Sequence, residues 1–542
     1  MRKEFIIGQP LESGTTYYAT EKEYHIYLAD TVTAEDARYV ALRAHDPQAA
    51  FPVFVWMRDK KDITLDFGGA TLVMHGRIQP FLIDRSENVT IKNCTVTYDR
   101  PLYTEAHIVE VGEQYIRIQP REVCTCRVEG DQLVPYSDTW ECTALNRNGH
   151  FFQVFDPVTR KGCGLHLGVV GTPVVMDYER PFTVDAYTAE ADGDCIRLNG
   201  TFPPFYQEGR VLAIEHELRS LSNVFLIDTK DIRIENYRIL SGCGMGVYSY
   251  RAENIYLDGF RMTCDEASPC LVTNPADAIH LFGTSGVLSL HNCVVEGMID
   301  DALNVHANFR TVDRACDNVI YTINSSCEEQ ARLLYRVGDV IAVYKGLTME
   351  EVARYTVLAI EEVDERIHKF TVDRAVERHE HGDLIESLTA NCNVTIENCV
   401  FGKANSHLRL QSRGRFVMRN CESELPLLLS GDASYWFESG PITDLTVENC
   451  RFTAEGAKII ACGEVLPTEA APYYHRNLKI VNNEFVSDLP MECGQTDGIL
   501  FTGNRNTAGR AMTLRLTNCG TVIAEGATIE RIREEKATVK VN

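Results

Sequence analysis

The feature that most restricts the fold is a short pattern that recurs along the chain: apolar, any, apolar, any, Asn or Gly, small or aromatic, any, apolar. It occurs as VTIKNCTV, IRIENYRI, IYLDGFRM, LSLHNCVV, VTIENCVF, FVMRNCES, LTVENCRF, LKIVNNEF, ILFTGNRN and LRLTNCGT, with Ser, Asn or Thr in the last place of three of them. Its sixth positions are Cys94, Tyr237, Phe260, Cys293, Cys399, Cys421, Cys450, Asn483, Asn504 and Cys519. Alternation with period two means strand. Asn or Gly at one fixed place means a bend in the left-handed backbone region. Strand plus bend, repeated every 20–30 residues or so, makes a solenoid in which each coil buries its face on the next. The sequence therefore predicts an all-β chain, a right-handed parallel β-helix, with an Asn ladder at the bend and a Cys/aromatic stack inside.

Two gaps interrupt the rhythm: 237 − 94 = 143 residues and 399 − 293 = 106 residues. The first holds alternating segments such as EQYIRIQP, RPFTVDAY and DCIRLNG; the second holds YRVGDVIAVYK, ARYTVLAIEEV and HKFTVDRAV. These predict antiparallel β modules, barrels or sandwiches, inserted between coils. The expected organisation is a cap and first coils over 1–100, an inserted module over 101–215, and coils over 216–305. A second inserted module follows over 306–390 and further coils over 391–542. Solenoid ends need a cap, either a terminal segment or a partner, which admits a homodimer.

Composition narrows the partners. The net charge of −24 argues against nucleic acid and against an anionic membrane surface. No apolar run approaches the roughly 20 residues of a membrane span. The first residues lack the apolar core of a secretory signal, and a trimmed signal would leave the same start. The 19 cysteines include no CxxC and no Cys/His cluster with zinc spacing. Most read as buried core thiols in a reducing compartment, so a cytoplasmic location is expected.

The chemistry emerges when the strands after two bends are aligned. DAIHL matches DALNV position by position, 24 residues later. Asp277 then lies over Asp301, His280 over Asn304 and Phe282 over His306, on strands roughly 4.8 Å apart. Asp300 is adjacent. Three carboxyls so close should not all ionise freely, and at least one proton is expected to be retained. Glycoside hydrolysis uses such a set: one protonated carboxyl for the leaving oxygen and one carboxylate for water or carbon. The flanking column, Tyr248, His280, Asn304 and Arg409, offers hydroxyl, imidazole, amide and guanidinium groups for sugar hydroxyls. Trp436 and Glu438, in DASYWFESGP, are candidates for stacking on a sugar and accepting from it. His306, His216, Arg219 and His407 are further candidates, the last three reading more readily as structural. A solvated acidic turn and a calcium site are the competing readings of the cluster.

At these residues the chain resembles glycoside hydrolase family 110, the α-1,3-galactosidases acting on blood group B and linear Galα1-3Gal ends. The stretches that carry the resemblance are LDFGGATLVMHGRIQPFLID, IEHELRS, ADAIHLFG, DDALNVHAN and YWFESGPITDLTVENCRF. Ala307 departs from the Gly more usual there. The resemblance implies an inverting enzyme that removes terminal galactose without metal or other cofactor, with Asp277, Asp300 and Asp301 as its catalytic set. By register, Asp277 and Asp301 jointly hold the water and Asp300 is the general acid. Polygalacturonases look similar in using a separated Asp plus a DD pair. An inverting pair is expected about 6.5–9.5 Å apart. A β-helix lyase or uronide hydrolase would want more cations than Arg409 around the site. A non-catalytic carbohydrate-binding β-helix has no need of stacked carboxyls.

Overall fold

The computed structural model describes residues 1–34, 51–142, 150–170, 185–216, 221–264, 268, 270–326, 331, 333–377, 379–404, 406–433, 436–461, 473–531 and 539–541. Among these residues the regular structure is strand, apart from a 3₁₀ turn at Leu28–Asp30 and 3₁₀ geometry at Ala331 and Leu333. No helix among them is long and apolar enough to cross a membrane.

The alternating segments stack as parallel strands, coil upon coil. One sheet runs through Lys61–His75, Glu87–Tyr98, Lys230–Ile239, Glu253–Asp258, Ser285–His291, Cys392–Glu397, Arg415–Arg419 and Asp444–Glu448, each paired in parallel with the next. A second runs through Phe51–Arg58, Gln79–Asp84, Ser222–Ile227, Met245–Tyr250, Ile279–Phe282, Leu303–Cys316 and Leu408–Gln411. The inward side chains of both sheets form one continuous apolar core. This is the parallel β-helix that the repeat predicts.

The bends are where the sequence puts them. Asn93, Asn236, Gly259, Asn292, Asn398, Asn420, Asn449, Asn482, Gly503 and Asn518 all have φ between 47° and 66°. Asn and Gly tolerate this region where other residues are strained. Neighbouring amides bridge coils, as in Asn236 Nδ2 donating to Asn93 Oδ1 at 3.2 Å. The next residue points inward, so Cys94, Cys293, Cys399, Cys421, Cys450 and Cys519 are buried. The described cysteines are free thiols. Tyr237 and Phe260 continue the stack with rings 6.2 Å apart and nearly parallel. Asn483 and Asn504 fit because their amides are satisfied: Asn483 Nδ2 donates to Val447 O at 2.9 Å and Asn504 Nδ2 to Ile480 O at 2.7 Å. A second left-handed column, Asp62, Asn88, Asp231, Asn254 and Gly286, is not part of the repeat pattern. It is bridged by Asn88 to Asp62 at 2.7 Å and Asn254 to Asp231 at 2.8 Å.

Both interruptions are closed barrels. The first joins Tyr103–Val111, Tyr115–Pro120, Cys195–Asn199, Asp185–Asp192, Gly162–Val170, His150–Phe155 and Val211–Glu215. The second grows directly out of a β-helix strand. Leu303–Cys316 pairs in parallel with Ile279–Phe282 and Leu408–Gln411 through its first half. Its second half pairs antiparallel with Val319–Ile323 and Leu384–Ser387. Asn304 and His306 therefore sit on a strand clamped at both ends.

Candidate active site

The parallel pairing sets the site. Tyr248 lies opposite His280, His280 opposite Asn304, Asn304 opposite Arg409, and Phe282 opposite His306. Just before these strands begin, Ala278 N donates to Asp301 O at 2.9 Å, which carries the register into the acidic turn. One oxygen from each of Asp277, Asp300 and Asp301 lies within 4.8 Å of the others. The cause is a shared donor: Asp301 N–H points at Asp277 Oδ1 at 3.0 Å and at Asp300 Oδ1 at 2.9 Å. That one amide draws both carboxyls together. Their nearest oxygens are consequently closer than the 6.5–9.5 Å or so expected of an inverting pair.

Asp301 is buried, which by itself pushes its carboxyl up, but Arg409 and His407 outweigh this and hold it well below the usual carboxylate range. Arg409 Nε donates to Asp301 Oδ2 at 2.9 Å, Ser406 Oγ to Oδ1 at 3.3 Å, and His407 Nδ1 lies 3.5 Å from Oδ1. Burial alone would lower the Arg409 guanidinium; Asp301 and Glu438 more than offset it, and the group stays charged. Asp301 is therefore the carboxyl of the trio that the structure holds ionised. Asp300, Arg409 and His407 keep partial exposure, which marks the open side.

The other candidates lie behind this rim. His280 and His306, expected among the groups that touch sugar, are 2% and 1% exposed. Their nitrogens are turned inward. His280 Nδ1 makes a short hydrogen bond with Asp277 Oδ2, and its Nε2 lies 2.9 Å from His306 Nε2. Tyr248 is wedged between Phe225, at 4.8 Å, and His280. Asn304 Nδ2 donates to Glu438 Oε1 at 3.3 Å, and Gln411 Nε2 to Glu438 Oε2. Glu438 thus fastens the Glu438–Ser439 strand to the coils, where Asn308 pairs with it antiparallel. Trp436 is half-buried, its backbone held by Asp432 Oδ2 at 2.6 Å and by Asn308 and Ser326. His216 is apart from the cluster, with Nε2 2.6 Å from Thr104 Oγ1 and Trp140 beside it. Arg219 lies outside the described residues. Ser406 and Gln411 escape the sequence reading, although extending the column would have found Gln411, since it pairs opposite His306.

Among the described residues, the trio is the acidic group close enough to grip a cation. Calcium asks for six to eight oxygens. Here Arg409 already supplies the positive charge to Asp301, and the Asp301 amide occupies an oxygen on each of the other two. That donor set suits proton transfer better than a divalent ion.

No family model matches the chain. It is 26% identical over 478 residues to alpha-1,3-galactosidase B of Bacteroides thetaiotaomicron, covering 83% of this chain and 74% of that one. It is 23% identical over 541 residues to alpha-1,3-galactosidase A of Bacteroides fragilis, covering 94% and 84%. A relative from Phocaeicola vulgatus, also named alpha-1,3-galactosidase B, is 26% identical over 430 residues, 75% of this chain and 68% of that one. Among solved structures, an exopolygalacturonase of Thermotoga maritima aligns over 98% of this chain and 80% of its own, with a TM-score of 0.32 and 9% identity.

Proposed function

We propose that the chain is a member of glycoside hydrolase family 110, a reading supported by its likeness to proteins named alpha-1,3-galactosidase, and that it is an exo-acting, inverting hydrolase that releases terminal α-1,3-linked galactose from an oligosaccharide or glycoconjugate. The observation that carries this reading is the acidic cluster: three carboxyls within 4.8 Å, one of them held ionised by Arg409. Asp277 and Asp301 hold the attacking water, and Asp301 takes its proton. The water oxygen bonds to the anomeric carbon as the glycosidic bond breaks. The bonding pair leaves with the glycosidic oxygen, which takes a proton from Asp300. Asp300 is suited to carry that proton because it stands beside two carboxylates, and like charge disfavours ionising a third. Arg409 and His407, on the open side, and Trp436 are the groups left to hold the sugar.

The short spacing favours a second reading. Retaining enzymes bring their two carboxyls to about 5–5.5 Å, so that one can attack carbon directly. Proton NMR of the first turnovers separates the two. Initial β-galactose means inversion, and initial α-galactose means retention.

The function itself is tested with p-nitrophenyl α-galactoside and with the Galα1-3Gal disaccharide. Galactose release by the wild type, lowered about 10²–10⁴-fold in D300N and D301N, supports the reading. A folded protein that cleaves neither substrate overturns it. An unsaturated uronide released from an acidic polysaccharide would instead mark a lyase.

A further inference from the structure

We propose that His280 is held as an imidazolium whose charge keeps Asp277 ionised beside ionised Asp301, and that His306 is the residue that imposes this state. Both are positioning residues, and the proposal rests on the reading of Asp277 as one of the two carboxylates that hold the water.

The argument is a count of protons along one chain of contacts. His306 Nδ1 lies 2.9 Å from the carbonyl oxygen of Ala307. A carbonyl only accepts, so this nitrogen carries a proton. Burial pushes the His306 imidazole down to about 4, against the opposing pull of Glu438, so near neutral pH the ring carries one proton only. Its Nε2 therefore presents a lone pair. His280 Nε2, 2.9 Å away, must be the donor. The other nitrogen, His280 Nδ1, faces Asp277 Oδ2 across a short hydrogen bond, which needs a proton between them. Imidazole is more basic than a carboxylate by about 2–3 pH units in free side chains, so the proton sits on nitrogen. His280 then carries two protons and a positive charge.

The surroundings accept that charge. Asp277 faces His280 from its own turn, and Tyr248 packs edge-on from the preceding strand at 5.4 Å. His306 faces it from the following strand, and beyond His306 stands Glu438, whose Oε1 is 3.5 Å from His306 Nε2. One strand further, Arg409 sits on Asp301. Each of the two carboxylates thus has its own cation, His280 for Asp277 and Arg409 for Asp301. This relieves the repulsion that stacking them one coil apart creates.

Two measurements on the full chain test this. In the first, kcat/KM on p-nitrophenyl α-galactoside is followed against pH. H280Q keeps a donor toward Asp277 but removes the charge, so the acid limb of the profile moves to higher pH by about one unit or more. The loss at neutral pH is at least tenfold and falls on kcat more than on KM, because the ring is buried behind the site. H306L, which strips the acceptor from His280, moves the limb the same way, and H306Q, whose amide oxygen can still accept, moves it less. A profile lowered in height with its acid limb unmoved in H280Q and H306L shows a merely structural role and overturns the proposal. The second measurement needs no turnover: nitrogen NMR of the histidine rings in the folded wild type at pH 7. Two protonated nitrogens on His280 and one, Nδ1, on His306 support the proposal. A neutral His280 overturns it. If no α-galactoside is cleaved, the galactosidase reading fails on its own, and the ring protonation still decides this one.

Discussion

Arg409 reaches across one coil to Asp301, Nε to Oδ2 at 2.9 Å, although 108 residues and an entire inserted barrel separate them in sequence. The parallel register makes this contact, since Asn304, three residues after Asp301, pairs directly with Arg409. An ion pair at the mouth of the cluster fixes which carboxyl is held ionised, the state the proposed base requires.

Replacing Arg409 by Gln should lower kcat/KM about 10²–10⁴-fold, the usual scale for losing a base in its working state. Lys should rescue it only partly, because a point charge does not reproduce the fixed geometry of the guanidinium. The pair also couples stability to pH. Asp301's carboxyl is lowered in the folded state, so its contribution is complete above the unfolded value, near pH 4. It is lost as pH falls toward the folded value. In R409Q the acid-induced fall in Tm should begin at higher pH than in the wild type, as read by thermal melts from pH 3 to 7.

Gly246 sits against the acidic turn: its N–H donates to Asp277 O at 2.9 Å, and a Cβ there would lie 2.3 Å from Ala278 O and 2.4 Å from Met262 Cε. Backbone on one side leaves little room to yield. G246A should destabilise by about 1–3 kcal/mol and reduce activity by moving the turn that carries Asp277. Denaturant melts and kcat/KM measured on the same preparation check both effects.

Asn398 occupies one of the ladder bends, with φ of 55°. N398A should cost about 1–2 kcal/mol, the penalty of a Cβ in the left-handed region, while N398G should be close to neutral. This bend joins Cys392–Glu397 to Val400–Gly402, on the sheet that does not carry the acidic cluster, so the activity per folded molecule should stay the same in both variants.

The thiols should divide into two classes. Cys316 is exposed at the end of its strand, whereas the ladder cysteines are buried in the core. A thiol reagent added to native protein should modify one cysteine fewer in the fast phase of C316S than of the wild type. The ladder thiols should react only on unfolding.

The fold was legible because its signal is repetitive: ten bends in register leave one solution, and each carries the expected left-handed Asn or Gly. The pairing of His280 with Asn304 was legible for the same reason, since DAIHL and DALNV differ by one coil. Side-chain direction was harder to read. A column of polar residues looks like a sugar-binding face, yet His280 and His306 turn toward each other and Asp277 because the neighbouring coil offers them buried partners there. Glu438 looked like an acceptor for sugar but is taken by Asn304 and Gln411, a contact that depends on a loop folding back across the coils. The spacing of the carboxyls was set by one shared backbone amide, which no residue pattern announces.

The central claim is that Asp277, Asp300 and Asp301 form a single reacting centre. Its most direct test is kcat/KM on Galα1-3Gal for D300N, D301N and the D300N/D301N double variant, each confirmed folded by its thermal melt. Groups that act as a unit give non-additive losses, so the double variant should be about as impaired as the worse single one. Losses that multiply, or single variants that retain wild-type turnover, would contradict the account.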